Sequence, residues 1–302
     1  MSTTSKILNA MTVDVEDYFH VNAFKHVIPT GDWDKWPCRV VKNTQLILEL
    51  FEQKELKATF FVLGWVAERY PELVREIDQA GHEVASHGYS HQLVFNQERA
   101  VFYQETKKSK QMLEDTIGKP VQGYRAASYS ITNKSLWALD VLAELGFTWD
   151  SSIFPIHHDT YGIASSPEEP YTLTTLSGAK LIEFPLTTAK VLGLKIPAAG
   201  GGYFRQYPYF LSRWLFRQAG EAVNKPAIFY LHPWEVDPEQ PRIPNAGWKS
   251  NFRHYTNLSK CQMRLAKLID DVEFTSMGQV LTNYNVSLTM NLSPGGLIPA
   301  LN

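Results

Sequence analysis

The chain has 302 residues, a formal charge of −2 and 44% hydrophobic residues. That composition supports a full core and excludes a disordered chain, and a near-neutral charge without a basic run excludes a nucleic-acid surface. No window approaches the ~18 consecutive apolar residues of a membrane span.

The opening MSTTSKILNAMTVDVEDYF lacks the charged-then-apolar order of a secretory leader. Cys38 and Cys261 belong to no CxxC pair, so free buried thiols and a cytoplasmic protein are expected. Elements then alternate along the chain. A strand is expected at 7–15, a helix at 42–55, a strand at 58–63, a helix at 70–80 and a strand at 82–87. A helix at 97–117, a strand at 121–125, a helix at 134–145 and strands at 147–152 and 180–186 follow. The series closes with a helix at 207–223 and a strand at 227–233. Gly81, Gly118 and Gly146 supply helix stops. Strand-then-helix repetition predicts an α/β fold, a parallel sheet with helices outside. After about residue 240 the chain turns polar and aromatic-rich, with a helix near 259–271. We expect a catalytic unit over 1–240 and an extension over 241–302 packed on it.

In such folds reactive groups gather at the carboxyl ends of the strands. The expected strands end in Asp14, Glu16 and Asp17; in His87; in Arg125; in Asp150; and in His232. Two histidines four residues apart, His87 and His91, can reach one ion from one side of a helical turn. Three carboxylates within four positions repel one another when buried unless a cation is present. Two His, one carboxylate and an open water position make a common catalytic zinc arrangement. Residues two apart on a strand point the same way, which favours Glu16 beside Asp14 as the carboxylate ligand. If the strand has already ended, Asp17 is the ligand instead.

Five segments then resemble, in order, the motifs of the polysaccharide deacetylases, the NodB-homology group of carbohydrate esterase family four. They are Thr12-Val13-Asp14-Val15-Glu16-Asp17, His87-Gly88-Tyr89-Ser90-His91, Arg125-Ala126-Ala127-Ser128-Tyr129, Trp149-Asp150-Ser151-Ser152 and Leu231-His232-Pro233. DVEDYFHVNAF, SSIFPIHHDTYGI, GGGYFR and HPWEVDPEQPR further resemble deacetylases found beside exosortase and exopolysaccharide loci. The resemblance implies a distorted (β/α) barrel with about seven parallel strands. It implies a hydrolase that removes N-acetyl groups from an amino sugar of an exopolysaccharide or its precursor, with a divalent metal, zinc foremost. Asp14 would be the general base and His232 the general acid. His87, His91 and Glu16 or Asp17 would bind the metal. Arg125 would pair with Asp14, and Asp150 would accept from His232. The first motif departs from the family in separating its acidic residues by Val15, and the third lacks the family's proline, so the local backbone there is expected to differ.

Gly200-Gly201-Gly202-Tyr203-Phe204-Arg205 does not follow a GxGxxG pattern and is read as a flexible rim. Tyr129, Tyr203 and Trp234, with Trp65 and Tyr89, are expected to offer a sugar-stacking surface. Glu235 and Asp237 are expected to hold their loop, and His157-His158-Asp159 to be loop structure or a substrate contact. Two other readings compete: a metal-free cyclic amidohydrolase of the allantoinase kind, and an inactive carbohydrate-binding protein. The paired histidines weigh against the first, and Asp14 with His232 against the second.

Overall fold

The structure is a computed structural model that describes residues 7–158, 161–293 and 295–300. Its strands are β1 (Asn9–Val15), β2 (Thr59–Val62), β3 (Glu83–Ser86), β4 (Gly123–Tyr124), β5 (Trp149–Asp150), β6 (Tyr171–Thr174) and β7 (Lys180–Glu183). They continue with β8 (Thr188–Val191), β9 (Leu194–Pro197), β10 (Ile228–Leu231), β11 (Phe274–Thr275), β12 (Thr289–Ser293) and β13 (Gly296–Pro299).

Seven strands run parallel in the spatial order β10, β1, β2, β3, β4, β5, β7. At the far end the sheet continues through β6, antiparallel to β7, then β12 and β13. Irregular bonds span the gap between β7 and β10. Ala198 N donates to Thr187 O at 3.1 Å, Tyr230 N to Ala199 O at 2.6 Å, and Ile228 N to Thr187 Oγ1 at 2.6 Å. The ring is therefore a distorted barrel, joined on this side by single bonds and the Gly200–Tyr230 bridge.

Alternation along β1 decides what reaches the interior. Met11, Val13 and Val15 pack outward with Phe60, Val62 and Leu73 in the larger apolar cluster under the helices. Ala10 packs inward with Phe61, Ala85, Ile228 and Tyr230. Thr12, Asp14 and Glu16 follow Ala10 at two-residue steps, and every residue of β1 is buried.

The expected helices are present with shifted ends: Val40–Gln53, Arg99–Ile117, Trp137–Glu144, Tyr209–Ala219 and Leu258–Asp271. The one expected at 70–80 is two, Gly64–Arg69 and Pro71–Gln79. Proline disfavours helical backbone at the residue before it, so Tyr70 (φ −130°, ψ 56°) breaks the run and Pro71 starts the next helix. Gly81, Gly118 and Gly146 all take positive φ at helix ends, as their stop role requires.

Beyond residue 240 the chain adds strands: β11 pairs with β1 and β12 with β6. One expectation needs correction. The glycine-rich segment is no flexible rim. Gly201–Gln206 is a helical turn, and Gly200 bridges β10 so closely that a Cβ there would sit 2.2 Å from Tyr230 O. Only glycine fits that approach, and its φ of 117° is unfavourable for other residues.

Candidate active site

The carboxyl ends of β1, β3, β4 and β10 bring Asp14, Glu16, His87, His91, Arg125 and His232 together. One ligand atom each of Glu16, His87 and His91 lies within 4.8 Å of the other two, and all three residues are buried. His87 follows β3 directly, and its Nδ1 donates to Arg125 O at 2.8 Å, which leaves Nε2 as the ligating atom. Burial pushes its pKa down to about 4, so the ring is neutral and offers a lone pair. His91 takes a left-handed backbone (φ 49°) that turns it back toward His87, with ring centroids 5.4 Å apart.

Glu16 Oε2 lies 2.7 Å from His91 Nε2, yet has no hydrogen-bond partner among the described residues. Two acceptors aimed at one point, one of them an orphaned buried oxygen, fit a cation. Burial pushes the Glu16 carboxyl up, but the surrounding His91, His232 and His87 more than offset it and hold it well below the usual range. Two imidazoles and one carboxylate form the donor set of a catalytic zinc-type site with open positions.

Asp17 is not part of this set, which corrects the alternative ligand. Its carboxylate accepts from the backbone N–H of Tyr18 and Val40, both at 2.8 Å, and of Arg39. It caps the short turn Tyr18–His20 and the start of the helix Val40–Gln53.

Asp14 Oδ1 accepts from Arg125 Nη1 at 2.7 Å, both side chains essentially unexposed. The rest of the guanidinium is committed as well. Nη1 donates to Thr12 Oγ1 at 2.8 Å, Nε to Ser151 O at 3.2 Å and Nη2 to Ser151 Oγ at 3.1 Å. Arg125 is thus a fixed cation that aims Asp14. Tyr129 Oη lies 3.4 Å from Asp14 Oδ2. Ser128 and Tyr129 are consecutive non-glycine residues at φ 51° and 54°. This left-handed pair lies where the family's proline is missing.

His232 lies across from Asp14, its Nε2 3.5 Å from Glu16 Oε1. Asp150 does not accept from it. Instead Glu235 Oε1 accepts from His232 Nδ1 at 2.8 Å and from His232 N at 3.1 Å. Burial lowers the pKa of His232, but its hydrogen bond to Glu235 and the Glu16 charge outweigh this and raise it to about 9. Glu235 in turn is brought down to about 2 against its burial, chiefly by Arg205 and His232. Arg205 Nε donates to Glu235 Oε2 at 2.6 Å. Its other nitrogens donate to the carbonyls of His254 and Thr256 at 2.8 Å and of Arg253 at 3.2 Å. Sequence reasoning missed Arg205 and gave Glu235 only a loop role. The available signal was His232-Pro233-Trp234-Glu235, a capping-box spacing with proline at the first helical position.

Asp150 sits deeper, opposite Glu183 in the ladder of β5 and β7. It accepts from Ser152 Oγ at 2.6 Å and Ser152 N at 3.2 Å, while Glu183 accepts from Ile153 N at 2.9 Å. Burial raises both carboxyls, and the Asp150 charge raises Glu183 further.

The expected stacking surface is also redistributed. Trp234 is 5% exposed, sandwiched between His232 (5.0 Å, 17°) and His254 (4.2 Å, 16°). It supports His232 and has no open face for a sugar. Trp65 is buried against Phe19, His20 and Trp33, and Tyr89 lies outside the site under Lys108, bonded to Glu68. Tyr203 remains part-exposed beside Tyr207, their rings 5.9 Å apart. His158 is exposed and stacks on Tyr161 at 3.9 Å, while Asp159 lies outside the described residues. So do the first six residues of the stretch read for a leader.

Comparisons with known proteins agree with this geometry. Residues 27–149 match the family described as Polysaccharide deacetylase, and residues 151–282 match Domain of unknown function (DUF3473). The site draws on both: His87, His91 and Arg125 from the first, His232, Glu235 and Arg205 from the second, with Asp14 and Glu16 ahead of either. A peptidoglycan deacetylase of Helicobacter pylori is 34% identical over 117 residues, 37% of this chain and 37% of that protein. A chitooligosaccharide deacetylase of a Bradyrhizobium species is 31% identical over 97 residues, 32% of this chain and 42% of that protein. The chain thus spans well under half the length of these relatives.

Among solved structures, one described as a polysaccharide deacetylase from Mycobacterium smegmatis is similar at TM-score 0.60 and 20% identity, covering 92% of this chain and 89% of that one. Puue allantoinase is similar at 0.58 and 15%, covering 93% and 91%. These two likenesses concern the fold, which deacetylase and allantoinase share. The matched segment carries more than the fold: over residues 27–149 the chain matches the polysaccharide deacetylase family.

Proposed function

We propose that the protein is a metal-dependent deacetylase that hydrolyses the N-acetyl group of an amino sugar in an exopolysaccharide or its precursor. One observation carries the reading: Glu16, His87 and His91 converge on a single point flanked by the Asp14–Arg125 pair and by His232. The first three residues would hold a divalent ion, and two imidazoles with one carboxylate favour zinc. Bound there, such an ion supplies Lewis acidity toward the amide carbonyl and lowers the pKa of the attacking water.

The chain's own residues do the rest. Asp14, aimed by Arg125, takes a proton from the water as the water's oxygen bonds to the carbonyl carbon. His232, held by Glu235, gives its Nε2 proton to the amide nitrogen as the carbon–nitrogen bond breaks. Acetate and a free amine leave. Burial of both charged pairs keeps bulk water from competing for these protons. Tyr129 and Tyr203 would line the sugar's approach. Residues 1–240 form the catalytic unit in this reading and 241–302 an extension whose carbonyls brace Arg205. The free thiols of Cys38 and Cys261 suit a reducing compartment, which supports a cytoplasmic substrate such as a precursor.

The test is elemental analysis of the purified protein with an assay of acetate release from N-acetylated oligosaccharides. About one zinc per chain, lost with activity in Glu16→Gln and His91→Ala, supports the proposal. A protein that takes up no metal and hydrolyses cyclic amides instead would overturn it.

A further inference from the structure

The two histidines of the metal site are held differently. His87 Nδ1 donates to a backbone carbonyl, whereas His91 Nδ1 is buried with no partner among the described residues. With an ion between His91 Nε2 and the Glu16 carboxylate, Nε2 supplies a lone pair and the ring proton belongs on Nδ1. That N–H needs an acceptor.

Behind the ring lies a small cavity lined by His91, Gln97, Glu105, Thr106 and Tyr124 among others. It leaves about 10 Å³ for the centre of a water-sized sphere, the room one water molecule takes. Gln97 Nε2 is committed to Gln92 O at 2.9 Å, which fixes the orientation of the amide. Its Oε1 is buried and also unpartnered among the described residues. Glu105 accepts from Ser90 Oγ at 2.5 Å through one oxygen and keeps further acceptor capacity. The cavity thus presents one unmet donor, one unmet acceptor and a carboxylate.

We propose that this cavity is a binding site for a single ordered water. The water accepts from His91 Nδ1–H and donates to Gln97 Oε1 and to the Glu105 carboxylate. All three of its hydrogen bonds are then made. Gln97 becomes a positioning residue: through the water it fixes the tautomer that leaves His91 Nε2 for a metal. The direction of the bond at His91 Nδ1 and the consequence for metal binding rest on the reading of Glu16, His87 and His91 as ligands; the presence of a water, which can donate to Nδ1 as well as accept from it, does not.

A crystal structure of the zinc-loaded protein at atomic resolution, with ¹⁵N spectra of its histidines, tests the site directly. One density peak within hydrogen-bond reach of the three groups, and an Nδ1–H tautomer at His91, are expected. In chelator competition Gln97→Leu should bind zinc ~10–100-fold more weakly, while Gln97→Glu, which keeps an acceptor oxygen, should stay near wild type. A dry cavity, an Nε2–H tautomer, or a folded Gln97→Leu with unchanged affinity would overturn the proposal. If Gln97→Leu does not fold, the wild-type map and spectrum decide. If the wild type takes up no zinc, the ligand reading fails, and the same map and spectrum of the metal-free protein still decide the water.

Discussion

The two halves of the site are built in different ways. On the metal side, Glu16 and His87 follow their strands directly and His91 follows one turn later, so each is placed by its own local backbone. On the acid side, His232 is held by Glu235, Glu235 by Arg205, and Arg205 by the carbonyls of Arg253, His254 and Thr256. The first half needs only the sheet. The second is a relay of buried charges whose last members lie some fifty residues from Arg205. Damage should therefore stay local on the first side and propagate on the second.

That contrast can be broken in order of effect. Removing the acid itself should cost most: His232→Ala should lower kcat by ~10²–10⁴-fold while zinc content stays at wild type. If metal is lost as well, the two halves are not separable. Arg205→Met should act on stability first. It breaks a buried pair and leaves the Glu235 carboxylate to His232, which costs ~3–5 kcal/mol, read as a fall in Tm and in the urea midpoint. An unchanged midpoint would mean that the carbonyl clamp does not brace this half.

Glu235→Gln should lower kcat by ~10–100-fold with KM nearly unchanged, because the ring loses its carboxylate partner. Asp150→Asn should leave kcat within a few-fold, since Asp150 bonds to Ser152 and faces Glu183. The reverse ranking would return the acid's partner to Asp150.

The smallest effect lies away from the site. His82 is buried, its Nδ1 accepts from Ala58 N at 3.2 Å, and its pKa falls to about 4 through burial and then the Lys57 charge. Between its ordinary 6.5 and about 4 the unfolded chain binds a proton that the folded chain refuses. Stability is thus complete above the upper value and declines on acidification, by at most ~1.4 kcal/mol per pH unit. His82→Asn keeps an acceptor for Ala58 and should flatten the slope of Tm between pH 7 and 5 without changing activity at pH 7. An unaltered slope would place that acid sensitivity in the buried His254 or His87 instead.

The same contrast explains what could be read from the sequence. Parallel strands buried on both faces write themselves as apolar runs, so β1, β2, β3 and β10 were legible, and with them the residues that end each run. Period-two alternation was enough to prefer Glu16 over Asp17, because Glu16, one residue past β1, continues the face that carries Asp14. The replacement of Asp150 by Glu235 was not legible: which carboxylate reaches a histidine depends on the turn after β10, where Glu235 closes back onto His232. The tail's strands were hidden for a related reason. β11 has two residues and β12 lies beyond the parallel run, so neither carries a long apolar signature. Trp234 looked like a sugar platform because composition reports that a ring is present and says nothing of what covers its faces.

One glycine has a consequence outside catalysis. β10 ends the parallel run, and an open strand edge invites pairing with another chain. The bridge from Gly200 and the bond from Tyr230 N to Ala199 O occupy that edge. A methyl group at position 200 would meet Tyr230 O at 2.2 Å and push the segment away. The harm would then appear first as precipitation during expression, because the uncovered edge becomes a template for its neighbours before any active site is assembled.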